Sequence, residues 1–239
     1  MNAETGQSGA MNAETGQAAA DQAGGSSAPP APAVPLGLRE RKKQRTGRQI
    51  ADTARRLFAE RGFEHVTVAE IARVAEVSEG TVFNYFPSKE DLVYERMEVF
   101  EQELLKAVRE RGDGESLVAA FRRFILTPRG FIASTDPSAA QQLRAITQVI
   151  AQSPALLARE QQILDRYTHA LASVIAEERG QPADDVEPQV MANALLGVHR
   201  ALLGYVRREI VAGTPSARIA RGLRQRGERA LALLEHGLE

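Results

Sequence analysis

Apolar residues recur at helical spacing from Ile50 to the end of the chain, and no stretch alternates convincingly enough for a strand. Ile50, Ala54, Leu57 and Phe58 fall at i, i+4, i+7 and i+8, one face of a helix predicted over about 41–61. "ERGFEHVT" ends it, with Gly62 as the terminating glycine. Thr67 then precedes "VAEIARVA" with Glu70 three residues on, the pattern of a capping box, and Val68, Ile71 and Ala72 form the inner face of a two-turn helix. "AEV" makes a tight connection. Ser78 caps a second short helix, 79–86, which Pro87 stops. Ser88 is expected to cap a long helix with Glu90 and Asp91 in its first turn, where the helix dipole favours them. Val93, Met97, Phe100, Leu104 and Val108 run along that helix as a stripe, and "RGDG" at 111–114 closes it. Five more helices are predicted, at about 115–126, 137–151, 155–179, 185–212 and 215–236, separated at Pro128, Ser153-Pro154, "RGQPADD" and "GTP". The fold class is all-α.

Two short helices joined by a three-residue turn make a helix-turn-helix, whose second helix enters the DNA major groove. A recognition helix must be short and held by its inner face. Val82 and Phe86, at i and i+4, point inward, Gly80 and Thr81 are small enough for close approach to bases, and Asn84 and Tyr85 carry donors outside. Upstream, Arg39, Arg41, Lys42, Lys43, Arg45 and Arg48 crowd into ten residues with Glu40 as the only acid. Beside a helix-turn-helix that run is read as phosphate anchoring, with Arg41, Lys42, Arg45 and Arg48 as candidates.

Composition narrows the alternatives. The 239 residues are 43% hydrophobic, enough for one small and one larger domain, and the net charge of −1 announces no partner by itself. Absence of cysteine excludes disulfides, thiol nucleophiles and thiolate zinc sites. His65, His169, His199 and His236 are scattered, and no HExxH, GxSxG or GxxxxGK[ST] motif is present, so neither an enzyme, a metal site nor a cofactor is expected. No signal peptide or membrane-length apolar run is found, which predicts a cytoplasmic protein. "MNAETGQ" occurs at 1–7 and again at 11–17, and residues 1–38 hold almost no large apolar side chains, so they are expected to be a disordered extension. The expected organisation is 1–38 extension, 39–87 DNA-binding domain, 88–110 connecting helix and 111–239 helical effector-binding and dimerisation domain.

"TVAEIARVAEVSEGTVFNYFPSKEDL" resembles the signature of the TetR family of transcriptional regulators, in its spacing, in Gly80-Thr81, in Tyr85-Phe86 and in Lys89-Glu90-x-Leu92. The resemblance spans residues 41 to about 92. It implies a homodimer with two DNA-binding heads, and a C-terminal domain that holds a small effector and dimerises through its last two helices. It also implies that effector binding spreads the heads and releases DNA. By position, Thr67, Tyr85 and Lys89 match phosphate contacts, while Ser78, Glu79, Gly80, Thr81 and Asn84 match groove-facing residues. Two positions depart from the pattern: Glu76 stands where glycine is usual, and Phe83 where tyrosine is common. Glu79 either accepts from a cytosine amino group or only favours the helix N-terminus.

In the second domain Phe121, Phe124, Tyr167, Leu195, His199 and Tyr205 either fill the core or line an effector site, and in the second case His199 is the first polar contact to an apolar or amphipathic ligand. Ile219, Leu223, Gly227, Ala230 and Leu234 share a row on the last helix. With Val198 and Leu202 they are the expected dimer interface, a four-helix arrangement with two-fold symmetry and hence a palindromic operator. The function expected is a sequence-specific regulator, a repressor released by its effector. The alternative is an effector-independent or architectural DNA-binding protein controlled by a protein partner, which a filled second domain would favour.

Overall fold

The computed structural model describes residues 38–133 and 137–236. The expectation of a disordered extension at 1–38 lies almost wholly outside the described residues. Among the described residues nine α-helices follow in order: α1 Leu38–Arg61, α2 Val68–Val74, α3 Glu79–Tyr85, α4 Asp91–Arg109, α5 Leu117–Leu126, α6 Pro137–Gln152, α7 Pro154–Arg179, α8 Val186–Val211 and α9 Ser216–His236. A short 3₁₀ turn, Gly130–Ala133, sits between α5 and α6. There is no strand among the described residues.

The first three helices close around their own apolar centre. Ile50, Ala54 and Phe58 of α1 meet Phe63, Val66, Ile71, Val82 and Phe86, all buried. The Phe58 and Phe63 rings lie 5.0 Å apart. Gly62 ends α1 at φ +85°, with its N–H on the Phe58 carbonyl at 2.8 Å. The Thr67 capping box is half made: the hydroxyl accepts from the Glu70 N–H at 3.2 Å, but the Glu70 carboxylate turns to Arg61 instead of returning to the cap. That hydrogen bond from Arg61 holds the Glu70 carboxyl below its usual pKa. At α4 the regular helix begins at Asp91, with Glu90 just before it. The full box forms there: Ser88 Oγ accepts from the Asp91 N–H at 3.3 Å and Asp91 Oδ2 accepts from the Ser88 N–H at 3.0 Å.

The α2–α3 turn requires a left-handed residue, and Glu76 supplies it at φ +58°. For a non-glycine side chain this conformation costs on the order of 1 kcal/mol. Glu76 is exposed and can be replaced without opening a cavity. Glu76→Gly should therefore raise the melting temperature by about 2–4 °C, measured by calorimetry. A fall would mean that the carboxylate itself holds the turn.

Helix α4 leaves this head and enters the larger bundle, in which α7 packs along α8 and α8 along α9. The two parts are pinned together at the start of α7. Tyr94 Oη donates to the Leu156 carbonyl at 2.8 Å, Arg159 pairs with Asp91 at 2.7 Å, and Ser153 Oγ donates to Glu64 at 3.0 Å.

Candidate nucleic-acid interface and effector cavity

Ser78 accepts from the Thr81 N–H at 3.1 Å, and the two hydroxyls are 2.8 Å apart, so α3 starts at a fixed point. Val82 and Phe86 anchor it, as their spacing predicts. The side left outside is Glu79, Gly80, Phe83 and Asn84, all exposed, with Thr81 and Tyr85 half-buried. A Cβ on Gly80 would meet nothing closer than Ser78 Oγ at 3.9 Å, so the space in front of it is open. Tyr85 rests on α1, where a Cβ on Gly47 would come within 3.2 Å of its ring. Gln49 Nε2 donates to the Ala75 carbonyl at 3.2 Å and ties α1 to the turn. Neither Gly47 nor Gln49 was singled out from sequence, although a lone glycine inside a helical pattern marks close packing.

Arg41, Lys42, Lys43, Arg45 and Arg48 are all exposed on the first half of α1. None has a carboxylate within 4.0 Å among the described residues, whereas Arg55, Arg56 and Arg61 in the second half are each ion-paired. One helix thus separates into a half with open cations and a half with neutralised ones. Lys89 behaves differently from the exposed cations. Its ammonium donates to the Phe63 carbonyl at 2.6 Å, 4.2 Å from the Phe63 ring centroid, and burial lowers its pKa. In this conformation it fastens α4 to the head core. Thr67 is exposed, and its hydroxyl, an acceptor at the cap, retains a proton to donate.

A cavity of about 1260 Å³ lies where α1, α4, α6 and α8 meet. Its apolar wall includes Val93, Met97, Phe100, Ile146, Ile150, Leu202, Leu203, Val206 and Leu223, and α1 contributes Asp52, Thr53, Arg55, Arg56, Ala59 and Glu60. Of the six sequence candidates only His199 lines it. Phe121, Phe124, Tyr167 and Leu195 are buried as core. Tyr167 donates its hydroxyl to the Met97 carbonyl, and Tyr205 turns toward α9, under the Arg226 guanidinium at 4.7 Å. Stripe periodicity identifies an inward face and not whether that face meets side chains or space.

The His199 ring stacks on Phe100 at 4.8 Å and 20°, and no described residue hydrogen-bonds to it. Burial, with Arg200 and Arg207 adding, pushes its pKa down to about 4, so the imidazole is neutral at pH 7 and offers one donor and one acceptor. A depressed base binds more protons unfolded than folded between its two pKa values. Stability is therefore full above about pH 6.5 and falls toward pH 4, by up to roughly 1.4 kcal/mol per unit. His199→Phe, which keeps the stack, should flatten that part of the melting-temperature profile; an unchanged acid slope would show that His199 does not titrate as described.

The expected dimer row packs within one chain. Ile219 is 0%, Leu223 6%, Leu202 5% and Val198 8% exposed. A Cβ on Gly227 would collide with Leu126 and reach 3.2 Å from Leu202, so this glycine brings α9 onto α5 and α8. Ala230 and Leu234 are half-buried beside it. The surface α8 leaves outside is another row, Val186, Val190, Gly197 and Ala201, of which Val186 is 71% and Val190 59% exposed.

The fold and the head together define an all-α helix-turn-helix protein. Residues 50–95 match the model for bacterial regulatory proteins of the tetR family, and residues 115–238 match the MftR C-terminal domain. The chain belongs to the TetR family and is a transcriptional regulator, not an enzyme. It is 32% identical over 154 residues to the HTH-type transcriptional regulator TcmR of Streptomyces glaucescens, covering 62% of this chain and 67% of that one. It is 30% identical over 165 residues to the regulator MftR of Mycobacterium tuberculosis, covering 69% and 80%. Among solved structures, native NalD, the secondary repressor of the MexAB-OprM multidrug efflux pump in Pseudomonas aeruginosa, superposes with a TM-score of 0.50. At 19% identity, over 79% of this chain and 96% of that one, the likeness shows the fold alone. No described helix is long and apolar enough to cross a membrane.

Proposed function

We propose that this regulator is a cytoplasmic repressor that grips a palindromic operator as a homodimer and lets go when an apolar or amphipathic small molecule fills the cavity. One observation carries the reading: α1 is at once the helix with the open cations and a wall of the cavity. A ligand that changes the cavity's shape acts directly on the helix that holds phosphates, and it shifts the equilibrium by its differential affinity for the two shapes. Arg41, Lys42, Arg45 and Arg48, with Thr67 and Tyr85, position the head on the backbone. Ser78, Glu79, Gly80, Thr81 and Asn84 face the bases. Lys89 supports them by locking α4 to the Phe63 carbonyl, and reaches a phosphate only by leaving that bond.

The second copy docks on the outer faces of α8 and α9, where Gly197 and Ala201 permit close approach while Ile219, Leu223 and Gly227 stiffen the bundle behind them. Two-fold symmetry then places half-site centres one or more helical turns apart, about 34–36 Å per turn. The partner-controlled alternative needs a filled second domain, and a cavity of about 1260 Å³, on whose wall His199 has no hydrogen-bond partner among the described residues, counts against it.

The test is a screen of apolar and amphipathic compounds for a raised melting temperature, followed by addition of each hit to a fluorescent protein–DNA complex. At least one hit should lower the anisotropy, and Leu203→Phe, which fills part of the cavity, should bind DNA normally but respond less. Compounds that stabilise the protein yet leave DNA bound would contradict the switch.

A further inference from the structure

Resting on the reading of this cavity as the effector site, we infer that its ligand is an amphipathic anion, with the anionic head on Arg96 and the body along the apolar wall. The charge inventory of the wall carries this. Asp52 and Glu60 are the carboxylates that reach it, and both are engaged, Asp52 with Arg55 and Glu60 with Arg56 at 3.2 Å. A ligand ammonium finds no open acid on the wall among the described residues.

The arginines of the wall are committed in the same way, with one exception. Arg55 also reaches Glu95 at 3.5 Å, and Arg207 holds Glu160 through two bonds of 2.8 and 2.5 Å. Arg129 donates to the Phe124 carbonyl and lies 3.8 Å from that ring's centroid. Arg96 has no hydrogen-bond or ion-pair partner among the described residues. It precedes Met97 on the helix that supplies Val93, Met97 and Phe100 to the apolar wall.

A neutral ligand that covers Arg96 takes an unpaired cation out of water and gains nothing for it. An anionic head group replaces the lost water with a charge-assisted hydrogen bond. A cationic head group adds repulsion to the desolvation. His199, neutral and without a hydrogen-bond partner among the described residues, contributes no charge of its own and serves an uncharged group or bare apolar surface deeper in the wall.

Three probes of equal chain length separate the cases: octanoate, 1-octanol and octyltrimethylammonium, titrated calorimetrically into the full chain without DNA. Octanoate should bind roughly 10- to 100-fold more tightly than octanol, and the ammonium more weakly than either. Arg96→Gln, an exposed position that should fold normally, should bring the octanoate-to-octanol ratio close to one, by weakening octanoate and relieving the desolvation that octanol meets. An ammonium that binds as tightly as octanoate, a ratio untouched by Arg96→Gln, or no binding by any of the three would overturn the inference. The switch fails separately, when a ligand that binds leaves DNA affinity unaltered.

Discussion

Arg45→Gln with Arg48→Gln should weaken binding to every duplex, whatever its sequence, by about 10³-fold near 0.1 M salt. Both side chains are exposed and have no carboxylate within 4.0 Å among the described residues, so no described carboxylate competes with a phosphate for them. Two charges per chain make four per dimer. Each phosphate contact adds about 0.9 to the slope of log affinity against log salt, so the slope should shrink by roughly 3 to 4. Melting temperature should stay nearly constant, because surface substitutions of this kind stay within about 0.5 kcal/mol. Anisotropy titrations at several salt concentrations measure both quantities. An unchanged slope would remove the first half of α1 from the interface.

Gly80→Leu should have the opposite signature. The position is exposed at the start of α3, and the space before it is open, so the fold accepts a side chain there. Leucine also has the better helix propensity, by roughly 0.5–1 kcal/mol. On the proposed reading that space belongs to base edges in the complex. The variant should melt at or above the parent temperature, keep the parent's affinity for random DNA, and lose its preference for the operator. Specific sites are commonly about 10³-fold or more tighter than random ones, so the loss has that scale. Retained preference would mean that α3 is not the reading element. Together the two variants separate contacts that hold DNA from contacts that choose it.

Why those two elements were legible in the chain, and the cavity was not, follows from what spacing encodes. Val82 and Phe86 at i and i+4, Ser78 before them and Pro87 after them suffice to define a short, anchored helix, and the structure agrees to within a residue. Glu76 stood out at a position where the family favours glycine, and its φ of +58° supplies the physical reason. The Thr67 box, by contrast, was only half right, because Arg61, nine residues upstream of Glu70, competes for the carboxylate. The 3₁₀ turn at Gly130–Ala133 was missed in a segment too short to show a period.

The second domain shows the limit most clearly. Tyr167 and Phe100 belong to one aromatic cluster, 6.5 Å apart, yet Phe100 faces the cavity and Tyr167 is core. Ile219 and Gly227 look like an interface row, since small and apolar residues suit any close helix approach. Only the three-dimensional packing shows that α5 and α8 of the same chain already occupy it. Arg96 carried no signal at all: an arginine in a helix with many charges becomes notable only when its neighbours prove to be paired elsewhere.

Preference for one DNA site is what most directly marks this protein as a regulator, and one titration tests it. Labelled DNA from upstream of the protein's own gene and a random duplex of equal length would each be titrated by anisotropy at several salt concentrations. Binding to the upstream DNA should be at least about 10³-fold tighter, with a steep salt dependence for both duplexes and a protected palindrome on footprinting. Equal affinity for the two duplexes at every salt concentration, with no protected site, would contradict a regulator acting at its own promoter and favour the architectural reading.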